Sequence, residues 1–223
     1  MPFQGLEILL AGGGGGLGSA TAELLRSEGA QVVIGSRSQG VQADITTAEG
    51  RACMLDAVPD VYGLVVFAGT PARGMEAEQG MRLSHEVNYQ GPILLAREAA
   101  ARMRERKVEG AIVLLSTMQA VGLFAGSTVY AGAKAALQHA ALILAKECRG
   151  PANIRVNVIA PGVMAAGMAR ASIEAGKYDH LLQQGVVPRF GKALDVARAV
   201  RFLLEPDNYI TGQVLSVDGG ATL

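Results

Sequence analysis

Short, mostly apolar runs alternate along the chain with longer stretches whose apolar positions return every three to four residues. Residues 6–11 (LEILLA), 31–34 (QVVI), 61–67 (VYGLVVF), 111–116 (AIVLLS), 154–159 (IRVNVI) and 213–217 (QVLSV) read as strands buried on both faces. Between them the spacing predicts helices. One starts near Leu17, carries Leu24 and Leu25 on its apolar face and stops at Gly29. Others run over 47–57, 81–107, 128–147 and 195–204. Thr46 and Glu49 have capping-box spacing, and Asp195 is a suitable N-cap. Residues 36–44 and 163–187 show no period, and the second segment reads as a lid. Strict alternation of strand and helix predicts an α/β fold with a doubly wound parallel sheet, as a single domain over 1–223.

Composition narrows the partners. Half the residues are hydrophobic and 18% are charged, which supplies a core. Twenty basic residues balance twenty acidic ones, so no bulk field draws the chain to nucleic acid or to an anionic membrane. Aromatics make up 4% with no Trp, which weakens base stacking as a binding mode. The expected partner is a small molecule. Cys53 and Cys148 lie far apart, and His85, His139 and His180 complete no metal-ligand spacing, so no metal is expected. Residues 1–5 lack the basic and apolar regions of a signal peptide. The longest apolar stretch, 131–145, is broken by Lys134, Gln138 and His139, well short of a membrane span. A cytoplasmic protein is the expectation.

Two features carry chemistry. Residues 11–18 read A-G-G-G-G-G-L-G, with a buried strand leading in and a helix leading out. A turn this tight needs positive φ, and a backbone that approaches a pyrophosphate cannot carry side chains. The helix N-terminus adds free N–H groups and partial positive charge. No Lys-Ser/Thr pair follows, which excludes a Walker loop. The second feature is Tyr130 and Lys134, four apart and therefore on one helix face. A phenol is a poor base at neutral pH, and a neighbouring ammonium favours its phenolate. After the second strand, Ser36-Arg37-Ser38 offers a guanidinium and no acid, which suits a 2′-phosphate better than a bare ribose diol.

Taken in order, these residues resemble the short-chain dehydrogenase/reductase family over nearly the whole chain. Gly12, Gly16 and Gly18 match its opening glycine motif, with Ala11 in place of Thr. Asn88 matches within V-N-Y-Q-G, and Tyr130 and Lys134 match Tyr-x-x-x-Lys. Residues 155–162 (RVNVIAPG) match the strand followed by Pro-Gly, and 188–191, 210–213 and 217–220 match the C-terminal patterns. The resemblance implies an oxidoreductase that moves hydride between a nicotinamide and a ketone or secondary alcohol. It assigns Tyr130 as general acid/base, Lys134 as ribose ligand and phenol activator, and Asn88 as holder of a relay water. Thr117 stands where the family has its serine, thirteen before Tyr130, and adjacent Ser116 is the alternative. It places NADP(H), in preference to NAD(H), against Gly12, Gly14, Gly15, Gly16 and Leu17, then Ser36, Arg37, Ser38, Asp44 and Ile45. Ala68, Gly69, Tyr130, Lys134, Pro161, Gly162, Val163 and Met164 complete the set.

Three departures stand out. The family's N-N-A-G reads Val66-Phe67-Ala68-Gly69, and Ala166 replaces a cofactor-contacting threonine. Only the residues between Arg37 and Asp44 remain where relatives fit a helix and an edge strand. A parallel crossover takes a dozen or more residues. Both are therefore expected to be lost, leaving six strands with 31–34 at the sheet edge. The lost side chains keep a second function open, a catalytically weak NADP(H)-binding sensor or scaffold. Met118, Gln119, Val121, Leu123 and Phe124, with the lid near Met168 and Tyr178, are candidate pocket contributors. The helix over 128–147 is apolar on most sides, and by resemblance it pairs with the 81–107 helix across a homodimer or homotetramer interface.

Overall fold

The computed structural model describes residues 1–72 and 74–223, without the side chain at position 168. Seven strands are present: β1 (Glu7–Ala11), β2 (Gln31–Ser36), β3 (Val41–Gln42), β4 (Val61–Val66), β5 (Ala111–Leu115), β6 (Arg155–Pro161) and β7 (Val214–Val217). They form one parallel sheet in the order β3-β2-β1-β4-β5-β6-β7. The order reverses at β1, which is where an open α/β sheet presents a crevice at its carboxyl edge.

Period-two alternation divides each central strand between two cores. Leu9, Leu64, Val66, Ile112, Leu114, Val156 and Val158 face one way. They pack against α2 (Ala48–Asp56), α4 (Gly91–Glu105) and α5 (Thr128–Glu147). Ile8, Leu10, Val65, Val113, Leu115 and Ile159 face the other way, against α1 (Gly16–Ser27) and α8 (Ala193–Leu204). Both faces are covered, which is why the strands lack a polar side.

Four sequence expectations need correction. First, the sheet has seven strands, because Val41 and Gln42 pair in parallel with Gly35 and Ser36. The helix expected to be missing is indeed absent between them. The crossover argument failed because it assumes pairing along a whole strand. Here only the last two residues of β2 pair with β3, so the chain need only step sideways. Ser36 makes that step: its Oγ accepts from Gln39 N at 2.8 Å and Ser38 N at 3.3 Å and donates to Gln39 O at 2.8 Å. Gly40 closes the turn at φ +66°, where a Cβ would sit 2.0 Å from Ile34 O.

Second, the long helix begins at Ala77. It runs as α3 (Ala77–His85), a π turn over Glu86–Gln90, and α4. Third, Thr47 caps α2, accepting from Gly50 N at 3.0 Å, while Thr46 is engaged by Asp44. Fourth, Asp195 lies one turn inside α8. Its carboxylate accepts Lys192 N at 2.8 Å and pairs with Arg189. Among the described residues, no helix is long and apolar enough to cross a membrane.

At the far end of α8 the last carbonyls meet a buried cation. Arg155, 4% exposed, donates to Leu203 O at 2.8 Å and Glu205 O at 3.0 Å, and Tyr62 Oη donates to Leu204 O at 2.6 Å. The guanidinium thus satisfies carbonyls that a helix end leaves unpaired, at the negative end of the dipole. Arg155→Met should lower the unfolding free energy by about 1.5–3 kcal/mol, since the guanidinium's bonds to Leu203 O, Glu205 O and Tyr62 Oη are lost and the Leu203 acceptor stays buried. Urea denaturation followed by far-UV circular dichroism checks this; an unchanged midpoint would contradict it.

Candidate active site

The glycine loop leaves β1 through Gly12, at φ +75°, whose N–H donates to Gly35 O at 2.7 Å. A Cβ on Gly12 would lie 2.4 Å from Ala68 N, and one on Gly18 would lie 2.4 Å from Gly13 Cα. These two glycines are required by packing. Gly15, the N-cap of α1, differs: a Cβ there would meet nothing within 4 Å, and no side chain caps the helix. Ala166 Cβ and Gly167 N each stand 3.4 Å from a Cβ position on Gly16. The loop therefore bounds an open, side-chain-free cradle at an uncapped twelve-residue helix. That cradle fits the phosphates of a dinucleotide.

Farther along the same edge, Asp44 accepts from Thr46 N at 2.9 Å and Thr46 Oγ1 at 2.7 Å. These bonds, led by the backbone one and assisted by the Arg37 guanidinium, hold its carboxyl below the usual range. Beneath this turn lies Arg51, which the sequence reading did not single out. It is buried, donates to Ile45 O at 3.2 Å and Thr46 O at 3.3 Å, and forms an ion pair with Glu98 at 2.9 Å. Arg37 and Ser38 are exposed; the Ser36 hydroxyl is engaged within its own turn.

The centre of the site is built by α5. Lys134 is 2% exposed, and its Nζ donates to Leu115 O at 2.7 Å and reaches Ala68 O at 3.5 Å. Burial disfavours the ammonium and pulls its pKa down to about 7. Tyr130 sits one turn earlier on the same helix, half-buried. Asn88 is fully buried in the π turn. Its Oδ1 accepts from Thr70 N at 2.9 Å, and its Nδ2 donates to Thr70 O at 2.8 Å and Ser84 Oγ at 2.9 Å. Ser84 in turn donates to Val129 O at 3.4 Å, beside Tyr130. Ser84 was also missed, although its position four before Asn88 puts both on one helix face. A Cβ on Gly69 would stand 3.1 Å from Asn88 Oδ1 and 3.7 Å from Lys134 Nζ, so this glycine lets three segments meet.

Geometry separates Ser116 from Thr117. The Ser116 hydroxyl donates to Lys134 O at 3.2 Å and accepts from Gln138 Nε2 at 2.9 Å, so it is committed to anchoring α5. Thr117, one residue on in extended backbone, accepts a long 3.3 Å bond from Gln119 N, which does not use its hydroxyl proton. Beyond it, Gln119 Oε1 accepts from Ser127 Oγ. Met118 is 3% exposed and belongs to the core, whereas Val121 and Leu123 are exposed. The Met168 side chain lies outside the described residues. Pro161 ends β6; a Cβ on Gly162 would strike Asp218 Cα at 2.7 Å, and Val163 and Met164 are buried. No His/Cys/Asp/Glu group among the described residues could hold a metal ion.

A glycine cradle at the switch point of a parallel sheet, with a tyrosine and a buried lysine one helical turn apart, is the arrangement that the sequence resemblance leads one to expect of a dinucleotide-dependent oxidoreductase. The chain belongs to the short-chain dehydrogenase/reductase family. A family model described as enoyl-(acyl carrier protein) reductase matches residues 37–222. The chain is 31% identical to an L-xylulose reductase of Caenorhabditis elegans, across 98% of this chain and 96% of that one. It is 30% identical to the 3-oxoacyl-[acyl-carrier-protein] reductase MabA of Mycobacterium tuberculosis, across 98% and 94%. Among solved structures, a short-chain dehydrogenase of Leptospira borgpetersenii with bound NAD+ superposes with TM-score 0.84 at 26% identity, covering 100% of this chain and 94% of that one. A variant of ElxO with NADPH bound gives TM-score 0.85 at 25% identity, covering 98% and 99%. The protein is therefore an enzyme of the class acting on CH–OH and C=O groups.

Lys134 also sets a pH dependence of stability. Above pH 7 the folded chain releases a proton that the unfolded chain keeps until about 10.4. The unfolded state then binds more protons, so stability rises with pH, by up to about 1.4 kcal/mol per unit. Below pH 7 the burial penalty is fully present. Urea midpoints between pH 7 and 9.5 should climb for the wild type and flatten for Lys134→Met; parallel curves would contradict this.

Proposed function

We propose that this enzyme is an NADP(H)-dependent reductase or dehydrogenase for a ketone/secondary alcohol pair, with Tyr130 as general acid/base. The observation that carries the reading is the buried Lys134 side chain, its Nζ held by two main-chain carbonyls one helical turn from the Tyr130 phenol. When bound, the nicotinamide supplies or takes the hydride. Tyr130 passes the proton to or from the substrate oxygen, and positive charge on Lys134 stabilises the phenolate left behind. Thr117 donates its hydroxyl proton to the same oxygen. Asn88 has both amide protons committed to Thr70 and Ser84, so only a lone pair of Oδ1 is left for a relay water.

The residues proposed to hold the dinucleotide follow the cradle outward. Gly12, Gly14, Gly15, Gly16 and Leu17 present backbone to the phosphates. Asp44 and Ile45 bound the adenine side, where Arg51 fixes their turn. Ala68, Gly69, Pro161, Gly162, Val163 and Met164 line the nicotinamide end, next to Tyr130 and Lys134. Arg37, with Ser36 and Ser38 around it and no acid at hand, favours a 2′-phosphate and hence NADP(H) over NAD(H). Residues 163–187 serve as the lid; neither α6 (Arg170–Glu174) nor α7 (Asp179–Gln183) contains a buried residue. We read the enzyme as one domain that self-associates, as a homodimer or homotetramer, through α4 and α5. Ile143, 47% exposed on α5, supports this. That its relatives are named as reductases favours an enzyme over a sensor.

NADPH oxidation over a panel of ketones, including keto sugars and acyl thioester ketones, tests the reading. Tyr130→Phe should lose about 10²–10⁴-fold in kcat while binding NADPH within about threefold of wild type. Retained turnover in Tyr130→Phe would overturn the assignment. Arg37→Ala should raise KM for NADPH about tenfold and leave that for NADH nearly unchanged, as expected for one lost charged contact. Equal effects on both would overturn the preference for NADP(H).

A further inference from the structure

The strand that leads into the Asp44 turn is too short to hold it. β3 pairs with β2 at two positions, and one further bond, from Ala43 N to Ser36 O at 2.9 Å, ends the ladder. Asp44, Ile45 and Thr46 follow as irregular chain and turn, so strand pairing does not fix them. A side chain takes over. Arg51, one turn into α2, is 5% exposed. Its Nη1 donates to Ile45 O at 3.2 Å and Thr46 O at 3.3 Å. Its Nε donates to both carboxylate oxygens of Glu98, on α4, at 2.9 and 3.1 Å. Gly91, the first residue of α4, lets the turn come close: a Cβ there would stand 3.0 Å from Ile45 O. The turn is thus fastened to two helices at once. A guanidinium suits this task because its rigid fork donates in several directions. Packing alone does not account for it, since an apolar side chain of similar volume fills a buried place as well or better.

We propose that Arg51 is a positioning residue for the adenosine half of the dinucleotide, held in its working orientation by Glu98. It touches no ligand. It acts through the carbonyls of Ile45 and Thr46, which set where the Asp44–Ile45 edge meets the base. This inference rests on the dinucleotide reading above. It goes beyond that reading by assigning part of the cofactor affinity to an ion pair between two helices, behind the turn. Because the guanidinium is buried and paired with a carboxylate, it gives no preference between NADPH and NADH. That separates its effect from that of the exposed Arg37.

Isothermal titration with NADPH, NADH and adenosine 2′,5′-bisphosphate measures this without turnover. Arg51→Met should weaken all three by a common factor of about ten, because the whole loss lies in the adenosine half. Glu98→Gln, which keeps one acceptor for Nε, should show the same pattern at about threefold. The double variant should bind no more weakly than Arg51→Met alone, because Glu98 acts through Arg51. A residue that only stabilised the fold would lower the thermal midpoint and leave the three affinities of the folded protein at their wild-type values. That result overturns the inference. So does weakening of NADPH with the bisphosphate unchanged, which would place the loss at the nicotinamide end, or weakening of NADPH without NADH, which would mean a direct phosphate contact. If Arg51→Met does not fold, the pattern across the three ligands in Glu98→Gln decides. If wild type binds none of the three, the dinucleotide reading fails first and the inference with it.

Discussion

One buried ammonium organises this molecule's working edge. Lys134 reaches from α5 across the end of the sheet to the carbonyls of Leu115 and Ala68, which close β5 and follow β4. A cation with no carboxylate nearby is expensive to bury, and its lowered pKa expresses that expense. The rest of the site can be understood as the framework that keeps it in place. Ser116 and Gln138 anchor the same turn of α5, Gly69 removes a side chain that would intrude, and Asn88 with Ser84 ties the π turn to the first turn of α5. Tyr130 inherits its position from this framework, one turn from the charge.

Most of the architecture was legible because parallel strands buried on both faces leave unbroken apolar runs, and the helices between them keep an apolar stripe. The glycine motif and the Tyr130–Lys134 spacing were legible for a related reason: each is set by local backbone geometry. What escaped the sequence depends on contacts between distant segments. β3 is two residues long, too short for any periodic signal, and its pairing depends on a turn built by one serine hydroxyl. The π turn at Glu86–Gln90 is a change in hydrogen-bond register inside a continuous helix, invisible to apolar spacing. Thr46 and Asp195 were misplaced by one to three positions because several capping residues compete at each helix start, and tertiary partners, Asp44 and Arg189, choose among them. Arg51 could be recognised only once Glu98 and the carbonyls of residues 45 and 46 surrounded it.

The lost asparagines and the shortened crossover show how the fold tolerates substitution at its functional edge. Backbone takes over where side chains have gone: Phe67 N and Ala68 N both donate to Ala11 O, holding the turn beside the glycine loop without an asparagine. Likewise, a pinned four-residue connector joins β2 directly to β3, where the resemblance leads one to expect a helix. The proposed catalytic residues Lys134 and Asn88 lie apart from these changes and stay buried. Changes of this kind are therefore expected to act on nucleotide affinity more than on the chemical step.

The most direct measurement is the ionisation of the Tyr130 phenol in the presence of saturating NADP+, followed by tyrosinate difference absorbance and assigned by its disappearance in Tyr130→Phe. If bound NADP+ keeps Lys134 charged and that charge activates the phenol, the Tyr130 signal will rise at lower pH in the wild type than in Lys134→Met. Identical titration curves in the two proteins would contradict the account.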